Sequence, residues 1–239
     1  MNRHEVMESF TPIWWTYITI VFLAIVVLLA LPKYRKWATH KIYRKALSIM
    51  LVSNLVIENC YGLYIGSWNI QENLPLHLCG MSSIMSIMLL FSYHRPTAQI
   101  FYYWGLTGGF YSLLTPEFDL GTQGFFFYAY FISHGGLILA SLYMIIYDGF
   151  VPEKKSWLKS FIIIQFAAAG VGIFNWITQS NYMYLASPPI ANNPLIMGDW
   201  PWYILIFEVL ALVHFLFLYL IFDFTVLINK KELLIWRRN

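Results

Sequence analysis

Residues 13–45 read IWWTYITIVFLAIVVLLALPKYRKWATHKIYRK. The stretch from Ile13 to Leu31 carries no charge, and at ~1.5 Å per helical residue it covers the ~30 Å of a bilayer's hydrocarbon. The residues that follow hold Lys33, Arg35, Lys36, Lys41, Arg44 and Lys45 and no acidic residue. An apolar crossing stopped by cations marks a membrane helix whose far end faces the cytoplasm. A cleaved signal is a poorer reading. The run is too long for one, Met1 to Phe10 is acidic rather than basic, and Pro32-Lys33-Tyr34-Arg35 offers no small-residue cleavage site.

The rest of the chain repeats this grammar. Of 239 residues, 59% are hydrophobic, 19% aromatic and only 11% charged, against about 25% charged in a soluble domain, and the mean hydropathy is +0.59. Seven apolar runs are long enough to cross: 13–31, 45–67, 75–92, 98–114, 125–147, 157–179 and 201–227. The fold class is therefore all-α, a polytopic bundle of seven transmembrane helices in a single domain, 1–239. Two Cys rule out a disulfide scaffold. The net charge of +3 reflects topology and gives no nucleic-acid partner. Of the 15 Lys and Arg, all but Arg3 fall in the connections after the first, third, fifth and seventh runs, or beside them. That division places the N-terminus outside and the C-terminus in the cytoplasm, with outer loops at 68–74, 115–124 and 180–200. Ser82-x-x-x-Ser86, Gly105 with Gly108 and Gly109, Gly135-Gly136 and Ala167-Ala168-Ala169-Gly170-x-Gly172 read as helix packing seams.

Ionisable groups at hydrocarbon depth cost ~2.5–3.5 kcal/mol each on insertion scales, which makes them functional candidates. Glu58, His77, His134, Glu208 and His214 lie inside the spans. Counting from the outer ends puts Glu58 and His134 roughly 14 Å deep, Glu208 about 10 Å, and His77 with Cys79 within about 6 Å. Asn59, Cys60 and Asn175 share that outer half, while the cytoplasmic half offers Gln165, Asp148, Asp223 and the near-midplane His214. A polar chamber open to the outer side follows. Each group also has a structural reading: a protonated Glu58 bonded to a neighbouring helix, Glu208 in a structural role, His214 as a satisfied core histidine. For His134, Ser133-His134-Gly135-Gly136 strips bulk from beside the imidazole and leaves room for a backbone or a substrate.

In Leu74-Pro75-Leu76-His77-Leu78-Cys79, Pro75 suits the first turn of the third helix, with His77 and Cys79 just behind it. A helix N-terminus favours a thiolate, the nucleophilic form. Residues i and i+2 point apart on a helix, so the base for Cys79 comes from another helix, and His134 is the best candidate. The other readings of Cys79 are a packing residue or a disulfide partner of Cys60; we expect Cys79 free and Cys60 as buried packing. No phosphate loop, Cys-x-x-Cys, His-Glu-x-x-His or Gly-x-Ser-x-Gly occurs, so no cofactor and no metal is expected, although Glu58, His77 and His134 could meet around zinc. The loop 180–200 carries no Lys or Arg and is long for a connection; it reads as a lid over the chamber or as a segment resting at the interface. Asp199-Trp200-Pro201-Trp202 starts the seventh helix, with Trp at the interface.

Leu74-Pro75-Leu76-His77-Leu78-Cys79, the His134 segment, Asn181-Tyr182-Met183-Tyr184 and Met197-Gly198-Asp199-Trp200-Pro201-Trp202-Tyr203 resemble the YwaF-type bacterial integral membrane proteins, related to the eukaryotic transmembrane protein 164 family, over nearly the whole chain. The resemblance implies a multi-pass protein of the bacterial plasma membrane. From the eukaryotic branch it implies a lipid acyltransferase working through a cysteine acyl intermediate and a histidine; more distantly it implies a hydrolase with a Thr/His pair. His77 and His134 match histidines of the pattern, whereas the cysteine that directly precedes the first of them is here Leu76, which leaves Cys79 as the substitute. Two function classes result. One is an acyltransferase or hydrolase acting on membrane phospholipid, with Cys79 as nucleophile (or a water or acceptor hydroxyl activated directly), His134 as base, and Glu58 or His77 orienting it. Asn59, Asn175, Asn181, Tyr182, Trp202 and Glu208 are then the substrate-binding candidates. The other is a carrier or binding protein that holds a small solute or proton in the same chamber.

The charge division predicts that single cysteines at 33–45 react with membrane-impermeant maleimide only after permeabilisation, while cysteines in 68–74 react in intact cells. The reverse pattern would overturn the orientation.

Overall fold

The computed structural model describes residues 5–34, 40–118, 124–191 and 198–228. Arg3, Arg35, Lys36, Lys230, Lys231, Arg237 and Arg238 of the charge argument, with Asp119 and Met197, lie outside the described residues. Seven α-helices stand among those described: α1 Pro12–Tyr34, α2 His40–Tyr64, α3 Leu78–Phe91, α4 Arg95–Leu114, α5 Phe125–Tyr147, α6 Ser156–Thr178 and α7 Trp202–Ile228. A two-residue antiparallel pair, β1 Glu5–Val6 with β2 Glu117–Phe118, ties the N-terminal segment to the end of α4.

Five helices, α1, α2, α5, α6 and α7, are long and apolar enough to cross a membrane. The third run is shorter than expected: α3 has 14 residues, about 21 Å. It begins at Leu78, not Pro75, because Pro75 sits in a turn folded back onto the helix. A Cβ at Gly80 would stand 2.8 Å from the Pro75 Cα, so only glycine lets this turn close. α4 has 20 residues but is less apolar, for a reason that lies in its position. It packs against α3, α5, α6 and α7, so its side chains meet protein rather than lipid and include Gln99 and Thr107.

α5 is the second central element and meets α1, α2, α3 and α4. Its glycines set the spacing. A Cβ at Gly136 would lie 2.4 Å from Leu51 Cδ2 of α2, and one at Gly135 would lie 2.8 Å from Val21 Cγ1 of α1. The room beside His134 is thus taken by neighbouring helices, not by a ligand. Across the other face, a Cβ at Gly109 of α4 would lie 2.9 Å from the His134 carbonyl oxygen. The core between these helices holds Phe101, Tyr103, Leu137, Tyr143 and Phe215. Outward positions stay apolar, as Ile162, Phe166, Ile173 and Ile177 show on α6, a pattern suited to lipid and costly in water.

The two ends of the bundle are closed by different chemistry. At one, Arg44 pairs with Asp148 at 3.2 Å and Arg95 with Glu153 at 2.9 Å, and Gln99 donates to the Val151 carbonyl at 3.0 Å. At the other, the backbone N–H groups of Ile190 and Ala191 donate to Glu117, and Trp14 donates to the Leu113 carbonyl at 3.0 Å.

Gly109→Val should separate α4 from α5 and lower stability by about 1–3 kcal/mol, read as a lower melting temperature in detergent. Gly170→Ala, where a Cβ meets nothing within 4 Å, serves as the control and should not lower the melting temperature.

Candidate functional site

At the end opposite Arg44, a cavity of about 440 Å³ is enclosed by α2 to α7 and two loops. That volume falls in the ~300–1,000 Å³ range of small-molecule sites. α2 contributes Leu55, Glu58 and Asn59; the turn and first residues of α3 contribute Pro75, His77, Cys79 and Ser83; α4 contributes Thr107, Gly108, Tyr111 and Ser112. Tyr130, Ser133 and His134 come from α5, Ile164 and Ala168 from α6, and Phe207, Glu208, Leu210 and Ala211 from α7. Met183, Tyr184 and Leu185 form the roof. The apolar share of this lining is the larger, and polar side chains reach it from α2, α3, α4, α5 and α7.

The two histidines of the wall are held in opposite tautomers. His134, 8% exposed, places Nδ1 2.8 Å from the carbonyl oxygen of Tyr130, one turn earlier on α5. A carbonyl only accepts, so Nδ1 of the neutral ring carries the proton and Nε2 keeps its lone pair. The Tyr130 ring packs at 4.1 Å between centroids, and its hydroxyl donates to the Ser112 carbonyl of α4 at 2.7 Å. The group that orients His134 is therefore the Tyr130 backbone, where the sequence suggested Glu58 or His77. His77 is the N-cap residue of α3, in extended backbone, and its Nδ1 accepts the Met183 N–H at 3.2 Å. A backbone N–H only donates, so this ring carries its proton on Nε2. Tyr182 and Tyr184 flank it at 5.2 and 5.3 Å.

Cys79 is half-buried and lies against α4, where a Cβ at Gly108 would stand 3.6 Å from its Cα. No disulfide joins it to Cys60. Cys60, expected as buried packing, is exposed, because it shares a helical stripe with the exposed Ile57, Tyr61 and Tyr64 on α2. Glu58 is half-buried in the wall. Asn59 reaches the wall with its amide engaged: Oδ1 accepts the Trp68 indole N–H at 2.9 Å and Nδ2 donates to the Leu55 carbonyl at 2.8 Å. Glu208 accepts from Gln165 at 2.5 Å, so Gln165, expected in the other half of the bundle, belongs with the cavity. His214 Nδ1 lies 3.4 Å from the Tyr111 hydroxyl.

Four residues expected to bind substrate do not line the cavity: Asn175, Asn181, Tyr182 and Trp202. Three of them hold the loop together. Asn175 Oδ1 accepts the Tyr182 N–H at 3.0 Å and the Ser180 hydroxyl at 2.8 Å, while its Nδ2 donates to the Tyr182 carbonyl at 2.9 Å. Asn181 Oδ1 accepts the N–H groups of Ala186 and Ser187. The fully buried Tyr182 hydroxyl donates to the Ile70 carbonyl at 2.8 Å and accepts the Leu74 N–H at 2.9 Å. Trp202 is 64% exposed at the start of α7. Sequence reasoning passed over Thr107, Tyr111 and Tyr130. The available signal was spacing: Tyr130 stands four residues before His134, and Thr107 directly precedes Gly108-Gly109. Among the described residues, no three His, Cys, Asp or Glu side chains converge as metal ligands, so Glu58, His77 and His134 share a cavity without forming a zinc cluster.

Tyr182→Phe strands the Leu74 N–H and the Ile70 carbonyl. It should cost about 1–3 kcal/mol and speed proteolysis within residues 68–77, read by limited digestion in detergent.

The model described as the TMEM164 family matches residues 7–219. No curated protein and no solved structure matches the chain.

Proposed function

The chain belongs to the TMEM164 family, a membrane protein family, and on that premise we propose that it is a lipid acyltransferase or lipid hydrolase of the plasma membrane, with seven crossings, its N-terminus outside and its cavity in the outer leaflet. The observation that carries this reading is His134: its Nδ1 is committed to the Tyr130 carbonyl, which leaves Nε2 as a proton acceptor on the wall of a cavity that also holds Cys79. A general base needs an unprotonated nitrogen held in place, and a thiol needs such a base to become a nucleophile.

The steps balance on these groups. The Cys79 thiol proton passes to His134 Nε2 as the sulfur attacks the carbonyl carbon of an ester. The bond from that carbon to the departing oxygen breaks, and the imidazolium returns the proton to that oxygen. The resulting thioester is opened by an acceptor hydroxyl, which gives acyl transfer, or by water, which gives hydrolysis; the incoming O–H proton travels through the same nitrogen back to sulfur. His77, with its proton on Nε2, is suited to donate to the carbonyl oxygen as negative charge develops there. The polar part of the lipid lies by Glu58, Asn59 and Glu208, and its chain by Leu55, Phe207 and Leu210. A cavity of about 440 Å³ suits one acyl chain with its ester rather than a whole two-chain lipid.

Purified protein in nanodiscs, given mixed phospholipid and lysophospholipid, should form acyl-transfer or hydrolysis products. His134→Gln, which keeps a hydrogen-bonding group but cannot shuttle a proton, should lose about 10²- to 10⁴-fold in turnover with the fold intact. An acyl group on Cys79 found by mass spectrometry would support the covalent route. Equal turnover by both proteins would show that His134 is not the base. Solute uptake with no lipid product from the wild type would make the protein a carrier.

A further inference from the structure

Thr107, in the middle of α4, is 5% exposed and lines the cavity, and its hydroxyl has no hydrogen-bond partner. In a bundle with a lipid exterior this is unusual, because a helical hydroxyl has a partner at hand in the carbonyl one turn back. Ser82, Ser83, Ser141, Thr16 and Thr178 all use it, donating to Leu78, Cys79, Leu137, Pro12 and Phe174 respectively. Thr107 does not. A buried polar group without a partner calls for an explanation; the oxygen is covered in this rotamer, and on a cavity wall a ligand supplies the partner once the hydroxyl turns into the lumen.

The position along α4 narrows what that ligand offers. Gly108, one residue on, abuts Cys79, and Gly109, two residues on, abuts the His134 carbonyl. Thr107 is thus within about 3 Å, measured along the helix axis, of where the main chains of Cys79 and His134 meet α4. The atom of a lipid ester that must come to this level is the acyl carbonyl, whose oxygen accepts hydrogen bonds and donates none. A rotation about χ1 exchanges the threonine methyl and hydroxyl between wall and lumen without moving the backbone. Resting on the acyl-transfer reading above, we propose that Thr107 contacts the substrate, its hydroxyl donating to the carbonyl oxygen of the lipid's ester so that the carbonyl carbon faces Cys79. The site therefore selects lipids with an ester at this depth over ether lipids of the same length.

The test compares a lysophosphatidylcholine bearing an ester-linked chain with its ether-linked counterpart, by binding to the full chain in detergent. Wild type should bind the ester roughly threefold to tenfold more tightly, the value of one neutral hydrogen bond. Thr107→Val, which keeps the shape and removes the hydroxyl, should abolish that preference by weakening ester binding alone. It should also melt no lower than wild type without ligand, since the hydroxyl it removes had no partner. Thr107→Ser should keep the preference, and Thr107→Ala gives a second deletion if valine is not tolerated. No preference in the wild type, or the same preference in Thr107→Val, would overturn the proposal and leave the hydroxyl to a buried water. An intact preference in a protein that forms no acyl-transfer or hydrolysis product would instead overturn the enzymatic reading while Thr107 keeps its role in binding.

Discussion

The rest of the structure depends on the contact of α4 with α5, where Gly109 meets the carbonyl of His134 almost backbone to backbone. Helices in lipid gain little from burying apolar surface against one another, so close packing and internal hydrogen bonds must hold them. This pair has both, because Tyr130 reaches across to the Ser112 carbonyl just above the glycine contact. The same two residues of α5 that lock it to α4 also set up the imidazole. Tyr130 supplies the carbonyl that fixes the tautomer, and the main chain of His134 is pinned by the glycine behind it. An imidazole placed where two helix backbones meet gains rigidity from the fold itself, and no separate arm is needed to orient it.

Sequence periodicity and charge read the outline of this bundle well because lipid imposes a single strong rule on long stretches. The α5 run, 125–147, matches its helix, and those for α6 and α7 differ from theirs by one residue at each end. The rule weakens where helices stop facing lipid. α4, surrounded by protein, no longer needs a fully apolar surface, and α3 is cut short by a turn whose cause, Pro75 against Gly80, is a contact between residues that no linear pattern links to each other. The candidate site divides in the same way. Depth alone brought Glu58, His77, Cys79, His134 and Glu208 to one cavity wall. It could not tell a polar residue that faces the lumen from one that faces the chain. Asn175 has the depth of a binding residue but spends its whole amide on Ser180 and Tyr182. Gly135 and Gly136 looked like space beside the imidazole and are occupied by Val21 and Leu51.

The two ends of the bundle show how differently one chain can close itself. At the basic end the closures are ion pairs and amides, Arg44 with Asp148, Arg95 with Glu153 and Gln99 with the 151–153 backbone, groups that keep their strength beside water and anionic headgroups. At the cavity end the Glu117 carboxylate and neutral side chains such as Trp14 and Tyr182 close the structure by bonding main chain.

Tyr182 makes the roof a single mechanical part. Its main chain is clasped by Asn175 at the end of α6, and its hydroxyl carries both ends of the 70–74 segment, accepting from Leu74 and donating to Ile70. The two loops consequently share one anchor, and displacing either transmits force to the other. His77 rides on this plate through the Met183 N–H, so lifting the roof removes the partner that keeps the ring's proton on Nε2. Whatever displaces either loop therefore reaches an imidazole on the cavity wall through a single hydrogen bond.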